Sequence, residues 1–166
     1  MKTEGENVSL IREYSLCTYS VRSVVADSVS DSYLVISPQD YNSQWRMTFQ
    51  IPGVLSGRYD VCAVVLPRTV YDPNNKNWYP CRFKATLNYV NEDGTNGSYP
   101  FDEVQNDPYR VDTVKLGTFT IPVCSYGQPN PVVSLRLECS IPLNQFRFNR
   151  EMYLDCLYFK PNREEE

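Results

Sequence analysis

The stretch of sequence that decides the fold is Val132-Val133-Ser134-Leu135-Arg136-Leu137-Glu138-Cys139-Ser140-Ile141. From Val133 to Ser140 the odd-numbered residues are apolar or thiol-bearing and the even-numbered ones are polar. Successive side chains of a β-strand point to opposite faces, so this pattern gives one apolar face and one polar face. It therefore predicts a strand in a sheet that is buried on one side and solvated on the other.

The same rhythm recurs along the chain, between turns rich in Pro, Gly, Asn and Asp. Trp45 to Ile51 alternates well, and Pro52-Gly53 ends it. Asn91 to Gly97 contains Asp-Gly and Asn-Gly, which favour tight turns. Gly117 interrupts the alternation of its segment and predicts a β-bulge. The predicted strands are 8–14, 33–37, 45–51, 58–66, 81–90, 111–121, 132–141 and 151–160.

About eight strands, with no ten-residue segment of helical periodicity, predict an all-β antiparallel sandwich. The residues alone leave two forms open, a jelly roll and an immunoglobulin-like sandwich. The length of 166 residues suits a single domain. We expect a flexible N-terminal segment at 1–7, one β-sandwich domain at 8–161 and a solvated C-terminal tail at 162–166.

Composition narrows the function classes. The chain contains no histidine, which excludes histidine-based triads, histidine zinc ligands and a histidine general base. Its net charge of −4 argues against nucleic acid as a partner. No stretch reaches the ~20 apolar residues of a membrane span, and residues 1–7 lack the apolar core of a signal peptide. Either a cytoplasmic protein or a domain excised from a longer exported chain fits these facts.

The six cysteines form no Cys-x-x-Cys pair, which argues against a zinc ribbon or a thioredoxin-like site. Most of them fall in predicted strands, where a free thiol packs as a small apolar group. We therefore expect mostly buried free thiols rather than a full set of disulfides. They are Cys17, Cys62, Cys81, Cys124, Cys139 and Cys156.

Three segments carry a family resemblance: Trp45 to Val61 with its Gly-Arg-Tyr-Asp-Val strand, Val111 to Thr120 with Leu-Gly-Thr-Phe, and the closing Met152 to Pro161. Their order resembles the galactose-binding-like jelly roll of many carbohydrate-binding modules. It is similar also to a domain found C-terminal to fasciclin repeats in surface lipoproteins of Bacteroidetes. The resemblance spans roughly residues 30–161 and rests on core and turn positions, so no ligand residue is carried over. It implies a jelly roll exported to the cell surface or the extracellular space within a larger chain, which favours the excised-domain explanation.

Trp78 and Tyr79 are the main candidate ligand-binding residues. They lie in a long polar loop, where no alternating apolar pattern predicts that they are buried. Exposed aromatic rings are surfaces on which sugar rings stack. The alternative is that Trp78 folds back as a lid on the sandwich end, whereas Trp45 shares an apolar face and is expected in the core. The neighbouring candidates are Tyr71, Asn74, Asn75, Asn77, Arg82 and Tyr99, with Phe101 and Tyr109 as further loop-edge aromatics. Loop anchoring and ordinary solvated polarity are the alternatives for these residues.

No cofactor and no catalytic residue are predicted, so the chain is not expected to be an enzyme. Asp60 and Asp155 lie within apolar strands, where buried carboxylates usually have structural roles. A structural calcium ion remains the alternative, without the spacing of a dedicated loop. Its candidate oxygen donors are Glu92, Asp93, Asp102, Glu103, Asp107 and Asp112.

Two main functions follow. The leading hypothesis is a noncatalytic cell-surface module that binds a glycan through the loops around Trp78 and Tyr79. The alternative is a structural or adhesion domain that packs on a neighbouring fasciclin-like domain or another surface protein, which an exposed apolar patch away from those loops would favour. A glycoside hydrolase or lyase would require two carboxylates in one open cleft.

Overall fold

The computed structural model describes residues 2–4, 10–23, 32–40, 43–68, 74, 78–123, 130 and 132–163. Within them, twelve strands form two six-stranded antiparallel sheets that pack as a jelly-roll sandwich, so the predicted fold class is confirmed. The strands are β1 (Lys2–Glu4), β2 (Ile11–Ser15), β3 (Cys17–Ser23), β4 (Ser32–Pro38), β5 (Arg46–Gln50), β6 (Gly57–Val65), β7 (Arg82–Val90), β8 (Asn96–Pro100), β9 (Val104–Gln105), β10 (Asp112–Ile121), β11 (Ser134–Cys139) and β12 (Met152–Pro161).

Sheet A has the order β10-β6-β12-β4-β3, with β1 added to β12. Sheet B has the order β2-β5-β11-β7-β8, with β9 added to β7. The chain passes from the edge of sheet B to the edge of sheet A at Leu16, whose φ is 61°. This left-handed conformation is unusual for a residue with a side chain and lets β2 and β3 follow one another without a longer loop.

The predicted alternation defines the core between the sheets. Leu135 and Leu137 of β11 are fully buried, whereas Arg136 between them points to the outer face. Trp45 is also fully buried, as its pattern predicts. The bulge predicted at Gly117 is confirmed by a register shift between Lys115 and Gly117.

The Gly117 bulge has a packing reason. The ring of Phe101, which reaches across from sheet B, lies directly against the Cα of Gly117. A Cβ at this position would overlap the Phe101 ring, so only glycine permits the close approach of the two sheets. Phe101 is thereby only 6% exposed and belongs to the core.

The described part of the structure has four strands more than the eight that hydrophobic alternation predicts. β1 lies within the N-terminal segment expected to be flexible, and β8 and β9 lie in a stretch that has no alternating pattern. Together with β3 they are short or edge strands, and the side chains of β3 and β8 are mostly exposed, which leaves little hydrophobic signal. Backbone hydrogen bonds to a neighbouring strand hold such segments, and these do not depend on apolar side chains.

Five cysteines are buried thiols outside any disulfide, as expected for packed thiols, and Cys124 lies outside the described residues. Burial raises the pKa of Cys17, Cys62, Cys81 and Cys139. These thiols therefore stay protonated at neutral pH and are poor nucleophiles. Among the described residues, no helix has the length and apolar character that crossing a membrane requires.

Candidate functional site

A cleft opens at one end of the sandwich, which we call the cleft end. In sheet A the pairs Val65–Asp112 and Ile36–Met152 place the ends of β4 and β6 beside the starts of β10 and β12. The loop before β12 reaches sheet B there, because Asn149 N donates to Pro80 O at 2.8 Å. Loops from both sheets therefore meet at the cleft end.

The cleft has a volume of about 510 Å³, which is within the range of small-ligand sites. It is bounded by three segments distant in sequence: the turn after β4, the residue Arg68 after β6, and the loop before β12. The lining residues are Ser37, Pro38, Asp40, Arg68, Gln145, Phe146, Phe148, Asn149, Arg150 and Glu151.

A hydrogen-bonded network forms the floor of the cleft. Arg68 Nη1 lies 3.0 Å from Glu151 Oε1, and Ser37 Oγ donates to Glu151 Oε2 at 2.9 Å. The Tyr153 hydroxyl donates to Glu151 Oε1 at 2.7 Å and accepts from Arg68 Nη1 at 3.2 Å. Burial raises the pKa of Tyr153 well above its usual range, so the hydroxyl remains a donor. The network holds Glu151 and Arg68 in fixed orientations.

Arg68 has hydrogen-bonding capacity to spare. Its Nε is buried and has no partner among the described residues. An unsatisfied buried donor costs about 1–3 kcal/mol of stability, so the burial of Arg68 Nε offsets part of what the ion pair with Glu151 contributes. Such exceptions concentrate at sites that complete their bonding with water or a ligand.

Two phenylalanines form the rim of the cleft. The Phe146 side chain is 66% exposed, whereas Phe148 is half-buried. The Arg82 guanidinium lies 4.9 Å from the centre of the Phe148 ring and 3.3 Å from Glu103 Oε1. Arg82, which the sequence suggests as a ligand donor, is thus engaged in holding the rim.

The loop before β12 is fastened to the sandwich by hydrogen bonds from Gln44 and Trp45. Trp45 Nε1 donates to Arg150 O at 2.6 Å, and Gln44 Nε2 donates to Ile141 O at 2.6 Å. Arg150 closes the loop on itself, donating from Nη2 to Pro142 O at 2.8 Å and from Nη1 to Gln44 Oε1 at 3.2 Å. The cleft wall is therefore preorganised rather than free to collapse.

Trp78 and Tyr79 are 40% and 39% exposed and precede Pro80, whose carbonyl oxygen accepts from Asn149 N, but neither residue lines the cleft. Trp78 stacks on Tyr109 with ring centroids 5.2 Å apart and planes at 28°. It is therefore not a buried plug of the core. Asn74 is exposed, and the predicted candidates Tyr71, Asn75 and Asn77 lie outside the described residues.

Tyr99 belongs to a different part of the molecule. It pairs with Leu87 on β7, five residues beyond Arg82, which corresponds to about 17 Å along the strand. Its ring packs on Phe119 at 5.0 Å and against Phe101 at 5.4 Å. The structure does not bring Tyr99 together with Trp78.

The main cleft residues were not among those predicted from the sequence. Arg68 and Glu151 are 83 residues apart, and neither lies in a motif. Only Phe146 could have been identified from the sequence as a candidate binding residue. Phe146-Arg147-Phe148 places aromatic residues within a polar loop, as Trp78-Tyr79 does. Applying the same criterion to both loops would have identified the rim but not the floor.

The predicted calcium donors mostly have local partners. Asp93 accepts bonds from the Thr95 hydroxyl and N–H, which lower its pKa. Asp112 Oδ2 accepts from Asp107 N at 2.8 Å, and Asp107 pairs with Arg110 at 2.9 Å. In the described part of the chain, no three His, Cys, Asp or Glu side chains converge as metal ligands would.

The two strand-borne acids lie in different environments. Asp155 is fully buried within β12. Asp60 is partly exposed and accepts from Asn162 Nδ2 at 2.9 Å and Thr118 Oγ1 at 2.8 Å, which lowers its pKa. Neither residue lines the cleft.

These features define a class: a jelly-roll β-sandwich with a polar, aromatic-rimmed cleft between the loops at one end. Solved structures of carbohydrate-binding modules share this fold. No family model matches the chain, and no curated protein matches it significantly.

Three solved structures illustrate the likeness. A CBM22-2 xylan-binding domain from Paenibacillus barcinonensis Xyn10C matches with a TM-score of 0.59 and 9% identity, covering 98% of this chain and 99% of that one. The C-terminal family 22 module of Clostridium thermocellum Xyn10B matches with a TM-score of 0.57 and 12% identity, covering 97% and 91%. A Paenibacillus xanthan lyase matches with a TM-score of 0.63 and 12% identity, covering 97% of this chain but 13% of the enzyme. At these identities the likeness is one of fold.

Proposed function

We propose that this protein is a noncatalytic carbohydrate-binding module that holds a glycan in the cleft at the end of the sandwich. The observation that carries this proposal is the cleft itself, about 510 Å³ in volume, where an exposed ring adjoins a preorganised hydrogen-bonding floor. The xylan-binding names of structural neighbours that match along nearly their whole length support the same class of ligand.

The two parts of the cleft suit the two sides of a sugar. Phe146 offers an aromatic face for the C–H groups of a pyranose ring. Arg68, Asn149 and Glu151 offer donors and acceptors for hydroxyl groups, and a carboxylate can accept more bonds than it has here. Since these groups are already held in place, binding would order few side chains.

The proposal assigns no catalysis to the cleft. Hydrolysis of a glycoside needs two carboxylic groups in distinct roles, one of them a proton donor. Two carboxylates, Asp40 and Glu151, do line the cleft. Glu151, however, pairs with Arg68 and accepts hydrogen bonds from the Ser37 and Tyr153 hydroxyls, so both of its oxygens are engaged as acceptors. A binding role uses this geometry as it stands.

We further propose that the module acts at the cell surface or outside the cell, within a larger exported chain. The xanthan lyase and a Podospora anserina mannanase support such an arrangement, because the matching region is 13% and 28% of those chains. The resemblance of the sequence to a domain of surface lipoproteins also implies that this fold is one domain of a longer chain.

The test is a glycan array followed by calorimetric titration of the strongest hit. Phe146→Ala is expected to weaken binding about threefold to tenfold, the contribution of one stacked ring. Leu143→Ala is the matched control, since Leu143 is 50% exposed in the same loop but does not line the cleft. Equal affinity of the two variants for the glycan would mean that the ligand binds elsewhere. An array without hits would contradict the carbohydrate-binding function. Release of reducing ends from the bound glycan would contradict the noncatalytic role.

A second function is favoured by an exposed apolar strip where β2 passes into β3. Tyr14, Leu16, Tyr19 and Val21 are each 37% to 52% exposed, and the Tyr14 and Tyr19 rings meet edge to face at 5.3 Å. Such a strip suits packing against a neighbouring domain. The test is a pull-down of surface proteins with two variants of this protein as bait. A partner that binds the Phe146→Ala variant but not the Tyr19→Ser, Val21→Ser double variant would favour adhesion over glycan binding.

A further inference from the structure

The outer face of sheet B carries a row of polar residues, whereas part of the outer face of sheet A is apolar. On sheet A, the outward residues Tyr33, Val35 and Leu66 form a buried apolar cluster. On sheet B, the register aligns Glu13, Thr48, Arg136 and Thr86 in one row across β2, β5, β11 and β7. A row that crosses three strand spacings spans about 14 Å.

A groove follows this row. Two depressions of about 230 Å³ each share Glu13, Thr48 and Arg136, so they adjoin as one groove across the sheet. Small hydroxyl residues form its floor, since Thr48 is 7% and Ser134 is 5% exposed. Longer side chains stand along its sides, and Tyr14 lies at one end.

The groove is positively charged on a protein of net charge −4. Its lining includes three arginines, Arg12, Arg46 and Arg136, against the single carboxylate of Glu13. Within the part of the chain that the structure describes, neither Arg12 nor Arg46 makes a salt bridge.

Arg136 is also short of an acceptor. Its Nε lies 3.1 Å from Glu138 Oε2, two residues along the same strand, but this buried N–H makes no hydrogen bond among the described residues. The groove thus presents two guanidinium groups, those of Arg12 and Arg46, that have no salt bridge among the described residues, beside Arg136, whose charge is paired with Glu138.

We propose that this groove binds a carboxylated saccharide chain, such as a polyuronate, at a site separate from the end cleft. The planar guanidinium fork matches a carboxylate with two parallel hydrogen bonds. The Thr48 and Ser134 hydroxyls and the Asn88 amide are suited to the sugar hydroxyls between successive carboxylates. The inference goes beyond the proposed function, since it requires no ligand in the end cleft.

A nucleic acid fits the groove less well. Single strands bind by stacking successive bases on aromatic platforms, and the groove lining has one aromatic ring, at its end.

The experiment is calorimetric titration of the folded protein with polygalacturonate and with its methyl ester, which keeps the sugar and removes the charge. We expect binding of the acid form that weakens as ionic strength rises, and affinity at least tenfold lower for the ester. Dextran sulfate and single-stranded DNA form two further arms, both expected to bind more weakly than polygalacturonate. Equal binding of acid and ester, or tighter binding of either further polymer, would overturn the proposal.

Variants locate the site. Arg46 is exposed, so Arg46→Gln is expected to fold normally and to lower polygalacturonate affinity about tenfold. Arg58→Gln, on the outer part of sheet A, removes the same charge from an exposed position and is expected to have no effect. Arg136→Lys keeps the positive charge but loses the forked guanidinium group. It is expected to weaken polygalacturonate binding less than the double variant Arg12→Gln, Arg46→Gln does.

The outcomes separate this inference from the end-cleft proposal. Phe146→Ala should leave polygalacturonate binding unchanged, whatever it does to a neutral glycan. If Arg46→Gln and Arg58→Gln have equal effects, the attraction is a general charge effect and the groove is not a site. If Phe146→Ala abolishes polygalacturonate binding, the ligand lies in the end cleft and the groove proposal is wrong.

Discussion

The indole Nε1 of Trp45 donates a 2.6 Å hydrogen bond to the carbonyl oxygen of Arg150. Trp45 precedes β5 of sheet B, and Arg150 lies two residues before β12 of sheet A. One fully buried side chain therefore joins the two sheets at the point where the cleft wall begins. Core packing and the candidate binding site depend on the same residue.

Replacing Trp45 by Phe should destabilise the protein and loosen the cleft. The change leaves the Arg150 carbonyl without its donor and removes part of a fully buried ring, which together should lower the free energy of unfolding by about 2–4 kcal/mol. Urea unfolding measures this, with Trp78→Phe as the control at an exposed tryptophan. Equal denaturation midpoints for the two variants would contradict the role of Trp45.

Gly117→Ala should destabilise the sandwich through a clash with Phe101. The added methyl group has no room against the ring, and overpacking of this kind costs about 1–3 kcal/mol. The test is a double-mutant cycle by chemical denaturation, in which Gly117→Ala should be less harmful in a Phe101→Leu background. Additive effects would mean that the clash is not the cause.

Asp60 should contribute stability that depends on pH. Its pKa in the folded protein is lowered, chiefly by the bond from Asn162 and then by that from Thr118. A group with a lowered folded pKa contributes stability above its unfolded value of about 3.9, and the contribution is lost as the pH falls through the folded value. At neutral pH we expect Asp60→Asn to lose about 0.5–1 kcal/mol, a small figure because the site is partly exposed.

The pH dependence is the specific part of that prediction. The stability difference between wild type and Asp60→Asn should shrink progressively below about pH 4. Asp102→Asn, at an exposed acid, is the control and should show little difference at any pH. A difference that persists unchanged into acid would contradict the hydrogen-bonded carboxylate as its source.

The five buried thiols should resist alkylation in the folded protein. Burial both excludes the reagent and raises the pKa of Cys17, Cys62, Cys81 and Cys139. Mass spectrometry after iodoacetamide treatment should find these sites unmodified under native conditions and modified after denaturation. Rapid native alkylation of Cys81 or Cys139 would contradict the packing.

The sequence predicts the core well because alternation reports burial directly. Leu135, Leu137 and Trp45 lie where their patterns place them, and Gly117 marks a real bulge. The edge strands β8 and β9 give no such signal, since backbone pairing to β7 holds them.

The cleft is less predictable for a related reason. Trp78 and Tyr79 were identifiable as loop aromatics and are partly exposed, but neither lines the cleft. The Arg68–Glu151 pair was not, because only the antiparallel register of β12 on its neighbours brings those two loops together. Contacts that depend on topology rather than on local pattern are not encoded in any short stretch of sequence.

The most direct test of the central claim is an NMR titration of the isotope-labelled protein with the strongest array glycan. The account predicts changes in the amide shifts of residues that line the end cleft, namely Ser37, Asp40, Arg68, Gln145, Phe146, Phe148, Asn149, Arg150 and Glu151. Changes confined to the exposed strip of β2 and β3 or to the aromatic cluster around Tyr99, with the cleft residues unmoved, would contradict it.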